Sequence, residues 1–68
     1  MIRVRLAEVL GQKKISNLSS LARKAGLNRH TLKGLYDERA KGIQFETLAR
    51  LCSALECTPG DLLQYSAD

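Results

Sequence analysis

Arg29, His30 and Lys33 bring a guanidinium, an imidazole and an ammonium together at helical spacing, and Leu32 and Leu35 supply the apolar side of the same segment. At 3.6 residues per turn the three polar groups fall away from the leucines and face outward. Their chemistry is hydrogen bonding to acceptor-rich, anionic surfaces. A guanidinium at the start of a helix can bond O6 and N7 of one guanine together, a pairing worth about 1–3 kcal/mol of discrimination. Positive charge there opposes the helix dipole, so helix stability does not explain Arg29. His30 can bond a base or a phosphate, and a charge on its imidazole would make such binding depend on pH. Metal ligation by His30 lacks a second ligand at suitable spacing, and no metal is expected. The chain shows no paired-carboxylate pocket, nucleophile constellation or phosphate loop, so neither enzymatic activity nor a cofactor is expected.

The elements that must position these groups are legible just upstream. Leu21-Ala22-Arg23-Lys24-Ala25 closes one helix, and Gly26 follows, the residue type that turns left-handed without a Cβ penalty. Asn28 then stands at the N-cap of the next helix, its side-chain oxygen placed to accept from a backbone N–H near Thr31. Leu21, Ala25, Leu27, Leu32 and Leu35 supply the contacts between the two helices, and Ala22 and Ala25 are small enough for close approach. A helix, a glycine turn and an outward-facing basic helix form the layout of a helix-turn-helix DNA-binding unit.

Five short helices fit the whole pattern. The first buries Leu6, Val9 and Leu10 and ends near residues 12–14, with Ile15 packing back onto the core. Its start is open, because Ile2-Arg3-Val4-Arg5-Leu6 also alternates like a strand. Asn17 caps the second helix over residues 18–25, and the third runs from Arg29 to Tyr36 or Asp37. In the fourth, Phe45, Leu48, Leu51, Cys52 and Leu55 draw one apolar stripe. Thr58-Pro59-Gly60-Asp61 is a start signal for the fifth, with Leu62 and Leu63 covering the bottom of the bundle. Tyr65 and its neighbours either lie beside residues 2–4 as a two-stranded strip or offer that edge to a second chain. The expected fold class is therefore all-α, a compact five-helix bundle, with a short N-terminal strand as the only β alternative.

The net charge of +4 is unevenly spread. Ten Lys/Arg stand against Glu8, Asp37 and Glu38 up to Lys41; from Gly42 onward only Arg50 stands against Glu46, Glu56, Asp61 and Asp68. The basic half carries the helix-turn-helix, as an electrostatic footprint for a polyanion would. Arg3, Arg5, Lys13, Lys14, Arg23 and Lys24 widen that surface, although Arg23 and Lys24 fit neutralisation of a helix C-terminus equally well. Tyr36 reads as a core-edge residue, and the scarcity of aromatics disfavours recognition of single strands by stacking.

Sixty-eight residues make one domain over residues 1–68, short enough to bury only about 60% of the unfolded chain's surface. No linker, repeat or low-complexity tract divides it. Cys52 and Cys57 have the spacing of neither a redox CxxC pair nor a zinc knuckle and read as two buried or half-buried thiols in a reducing compartment. No apolar run approaches the roughly 20 residues that span a bilayer, so no membrane association and a cytoplasmic location are expected.

Three blocks of the chain resemble the Xre, or Cro/lambda-repressor, type of helix-turn-helix regulator, in particular its small single-domain bacterial members. They are Leu21-Ala22-Arg23-Lys24-Ala25-Gly26-Leu27-Asn28-Arg29, then Thr31-Leu32-Lys33-Gly34-Leu35-Tyr36, then Lys41-Gly42-Ile43 through Leu48-Ala49-Arg50-Leu51-Cys52 to Pro59-Gly60-Asp61-Leu62-Leu63. The resemblance implies a five-helix bundle whose third helix enters the major groove. It implies base reading by Arg29, His30, Lys33 and Gly34, with the charge of Lys33 also suited to a phosphate. Phosphate contacts are implied for Asn17 and Ser19 at the second helix and Arg39 and Lys41 in the loop after the third, with Asn28 and Thr31 beside them. Three positions depart from the family pattern. Ser20 replaces the acid of a capping box, Gln44 is a weak N-cap, and Gly34 costs about 1 kcal/mol within a helix unless close backbone approach requires it.

The function that follows is sequence-specific binding of double-stranded DNA by a transcriptional regulator, a repressor acting as a homodimer on a partly palindromic site. Control would come from concentration, dimerisation or a partner protein. The competing reading is a protein-interaction module, an antitoxin-like chain whose DNA binding is secondary, with the acidic second half and the strand-like N-terminus as partner surface.

Overall fold

The structure is a computed structural model that describes residues 1–67; Asp68, one of the acids of the second half, lies outside them. Along the chain it contains β1 (Ile2–Val4), α1 (Leu6–Gln12), α2 (Leu18–Ala25), α3 (Arg29–Tyr36), α4 (Phe45–Leu55), α5 (Pro59–Leu62) and β2 (Leu63–Tyr65). Leu6, Leu32 and Leu51 are the largest fully buried side chains, so α1, α3 and α4 each send one leucine to the centre. Leu21, Ala22 and Ala25 bring α2 against them, and Leu62 closes the end. Among the described residues every buried side chain is apolar, so the core holds no desolvated polar group that needs a partner.

The open start of α1 resolves as a strand. β1 pairs antiparallel with β2, with Ile2 opposite Tyr65, Arg3 opposite Gln64 and Val4 opposite Leu63. Met1 and Ser66 exchange both backbone bonds at 2.7 and 2.8 Å, and the Arg5 N–H reaches the Leu62 carbonyl at 2.7 Å. Bonded pairs alternate in an antiparallel ladder, so Ile2, Val4 and Tyr65 turn their backbone groups to the outer edges. The Val4 N–H on the β1 edge donates to Glu38 Oε1 at 3.2 Å.

One expectation about the core needs correction. Phe45, placed on the α4 stripe, is 88% exposed. It is the first residue of α4 and projects beyond the core, so Leu48, Leu51, Cys52, Ala54 and Leu55 form the packed side instead. Ala54 was missed because a methyl group adds little to a hydrophobic pattern. Leu62 and the half-buried Leu63 cover the core as expected, Leu63 from β2 because α5 is a single turn that ends at Leu62. Its start is as the sequence indicates: the Thr58 N–H and hydroxyl both donate to Asp61 Oδ2, at 2.9 and 3.1 Å. Those two bonds hold the Asp61 carboxyl below its ordinary pKa, the backbone bond contributing most. Gln44 makes no side-chain cap bond, so α4 starts on packing of Ile43 alone.

α4 ends with Glu56 in the left-handed region, at φ 53°. The Cys57 N–H then reaches back to the Cys52 carbonyl at 3.0 Å, which closes a Schellman motif. Cys52 and Cys57 are the apolar pair that accompanies such a motif; both are free and half-buried. Burial, then the neighbouring Cys52, pushes the Cys57 thiol above its ordinary pKa, which keeps it protonated and packed. Glu56 is unsuited to its place on two counts, since a Cβ strains the left-handed backbone and an acid opposes the dipole at a helix C-terminus. Glu56→Gly should therefore stabilise the fold by about 1 kcal/mol and raise the midpoint of thermal unfolding, followed by circular dichroism, by about 4–8 °C.

Candidate nucleic-acid interface

The site is built from two helix ends and the turn between them. At the start of α2, Asn17 Oδ1 accepts from the Ser19 N–H at 2.8 Å and from the Ser20 N–H at 3.4 Å. One amide thus serves two unpaired donors without the acid that Ser20 replaces. At the other end of α2, Gly26 has φ 69° and ψ 35°, and the Leu27 N–H returns to the Ala22 carbonyl at 2.8 Å. This is a second Schellman motif, made here with glycine. Arg50 of α4 grips the turn from outside: Nη1 donates to the Gly26 carbonyl at 3.1 Å and Nη2 to Glu46 Oε1 at 2.9 Å. A Cβ on Gly26 would lie 2.8 Å from that Nη1. Glycine is needed there for backbone conformation, and a Cβ would push the Arg50 guanidinium aside.

Asn28 caps α3 through the His30 N–H at 2.7 Å, one residue earlier than the expected bond near Thr31. The bond places the first turn of α3 in the open. Arg29, His30 and Lys33 are exposed and together line a shallow concavity of about 210 Å³. Among the described residues the side chains of Arg29 and His30 make no ion pair or hydrogen bond. Lys33 differs: its Nζ lies 3.4 Å from Asp37 Oδ2 and 5.8 Å from the centre of the Tyr36 ring. Tyr36 is 40% exposed, an edge residue as expected.

Gly34 is half-buried, yet an added Cβ would meet nothing within 4 Å. Its carbonyl accepts the N–H groups of Arg39 and Ala40, at 2.8 and 3.2 Å, and so anchors the loop after α3. Arg39 is exposed and lies 3.4 Å from Asp37 through Nη2. Thr31 and Asn28 are exposed beside Arg29; Asn17 is exposed and Ser19 half-buried at the start of α2. Lys41 is exposed but lines a different, apolar hollow with Ile2, Val4, Leu35 and Ile43. The geometry thus gathers Arg29, His30 and Lys33, joins Lys33 to Arg39 through Asp37, and sets Lys41 by the strip.

Three residues that matter here were not singled out in the sequence. Arg50 stood as the lone cation of an acidic half, and Asp37 and Glu38 as two acids in a basic one. Glu38, at φ 57° just past α3, pairs with Arg3 through 2.9 and 3.1 Å bonds and takes the Val4 N–H. The Arg3 bond above all holds its carboxyl below the ordinary range. Helical spacing carries a signal for two of the three, since Asp37 follows Lys33 by four residues and Arg50 follows Glu46 by four. Nothing local signals Glu38 and Arg3, 35 residues apart.

A capped helix, a glycine turn gripped from behind and a second helix with Arg29 and His30 exposed at its start define a helix-turn-helix. Residues 5–68 match the model of the Cro/C1-type HTH DNA-binding domain, and the chain belongs to that family. A Bacillus subtilis (strain 168) protein, described as the uncharacterized HTH-type transcriptional regulator YozG, is 36% identical over 67 residues, covering 98% of this chain and 79% of its own length. The family binds DNA through this unit, and no helix among the described residues is long and apolar enough to cross a membrane.

The turn sets how α3 is presented, so damage to it should register as lost stability and lost binding together. Gly26→Ala should cost about 1–2 kcal/mol from the left-handed strain and displace Arg50 from the Gly26 carbonyl. Urea unfolding checks the first, and DNA affinity at a temperature where the variant is still folded checks the second.

Proposed function

We propose that this chain is a cytoplasmic transcriptional regulator that binds double-stranded DNA sequence-specifically with α3 in the major groove, and that it acts as a repressor by occupying a promoter. The observation that supports this reading is the exposed group of Arg29, His30 and Lys33 around one concavity at the start of α3. The Arg29 guanidinium, which has no partner among the described residues, is free to engage a guanine edge through both nitrogens. The relative YozG carries the description of a transcriptional regulator, which agrees with the proposal.

In this arrangement Arg29 and His30 read bases, with Lys33 reaching a base or a phosphate. Gly34 lets the helix backbone come close, since the space above it is open on the protein's side. Asn17, Ser19, Asn28, Thr31, Arg39 and Lys41 would fix the register on phosphates. The working unit is a homodimer whose two α3 helices sit about 34 Å apart on one face of a partly palindromic site. Met1, Ile2 and Tyr65, at 68%, 59% and 72% exposure, give the strip an exposed apolar surface that favours self-association there.

Fluorescence anisotropy on duplexes from around the chain's own gene, against random duplexes and at several salt concentrations, tests the proposal. Specific sites should bind more tightly, with log K falling linearly in log salt. Arg29→Ala should cost about 1–3 kcal/mol on the specific site and little on random DNA. Equal affinity for both duplexes, or no loss on Arg29→Ala, would remove specific readout. Sedimentation velocity should show two copies per bound duplex; a single copy at saturation would defeat the homodimer.

A further inference from the structure

Arg29, Lys33 and Asp37 follow one another at four-residue intervals, so the cationic stripe of α3 ends on a carboxylate. That carboxylate does not point into empty solvent. Its Oδ2 lies 3.4 Å from Lys33 Nζ and 3.4 Å from Arg39 Nη2, between a lysine of the helix and an arginine of the following loop. An oxygen bridging an ammonium and a guanidinium occupies the position that a phosphate oxygen takes between the same two groups. Arg39 is set in that position by its own backbone, whose N–H is tied to the Gly34 carbonyl at 2.8 Å. The other acid of this segment, Glu38, turns away to Arg3 and Val4 and leaves both cations alone.

We infer that Lys33 and Arg39 form a two-pronged phosphate clamp and that Asp37 is its internal occupant, a carboxylate that competes with the DNA backbone and sets the affinity for every duplex. The inference rests on the DNA-binding mode proposed above. The pairs are exposed, with Lys33 and Arg39 side chains at 53% and 69%, so exchange of carboxylate for phosphate needs only side-chain rotation. Held pairs of this kind contribute little to stability, so the carboxylate can be removed without harm to the fold. Competition inside the protein weakens binding to all sequences alike, because a phosphate carries no sequence information. Asp37 thereby limits occupancy of random DNA while the discrimination made by base contacts is untouched.

The test is Asp37→Asn, which keeps the side-chain shape and removes the charge, measured by anisotropy on the specific and a random duplex across a salt series. One additional phosphate held by the clamp should steepen the slope of log K against log salt by about 1 and tighten both duplexes about five-fold near 0.15 M salt. The ratio between specific and random DNA should stay as in the wild type. In Asp37→Asn/Lys33→Ala and Asp37→Asn/Arg39→Ala that tightening should vanish, and circular dichroism should show all three variants folded. Unchanged or weaker binding by folded Asp37→Asn, beside a wild-type chain that binds duplex DNA with a normal salt slope, would overturn the clamp alone. A wild-type chain with no salt-dependent affinity for any duplex would overturn the DNA-binding mode and this inference with it.

Discussion

The angle between α2 and α3 depends on one left-handed residue and the cation that grips it. Gly26 turns the chain and Arg50 holds its carbonyl from the far side of the fold, so α4 sets the presentation of a helix it does not belong to. A Schellman motif made with glycine suffices to end a helix. A grip from a third helix does more, because it ties the turn to α4, which buries Leu51, Ala54 and Leu55 in the core. Arg50 is also the one cation in the acidic half, and the fold uses it against a backbone carbonyl rather than a polyanion. Net charge is thus a poor guide to which cations are free.

The same separation of roles runs through the whole molecule. The centre is apolar throughout, with Leu6, Leu32 and Leu51 meeting from three helices, so shape alone decides the packing. Polar side chains serve the helix starts: Asn17, Asn28 and Asp61 each satisfy donors that a helix start leaves open. What remains at the surface of α3 is the short polar row of Arg29, His30 and Lys33. Among the described residues Arg29 and His30 have no side-chain partner, whereas Lys33 is held by Asp37 and lies against Tyr36.

Most of the helical frame was legible in the chain, because it rests on local signals. Gly26, Asn28 and the Thr58-Pro59-Gly60-Asp61 start each act within a few residues, and they mark boundaries that the structure keeps. Phe45 was misleading because a periodic stripe says which side of a helix is apolar but not where the neighbouring elements stop covering it. The choice between helix and strand for residues 2–4 lay beyond local reasoning, since it is decided by pairing with residues 63–65 at the other end of the chain. The cations of the candidate site were readable one by one from type and spacing. Their pairing was not, since Arg3 with Glu38 and Arg50 with Gly26 are made only by folding.

The two edges of the small strip are unequal. Glu38 occupies the outer side of β1 at Val4, while the far side of β2 turns the backbone of Tyr65 outward. A ribbon that is free on both sides can add neighbours without end, and short apolar strands of that kind feed filaments. With one side stoppered by a carboxylate at Val4, an added strand finds one of the donors on that side already taken. Glu38, an acid in a segment otherwise rich in cations, thereby leaves the β2 side as the more open edge of this sheet.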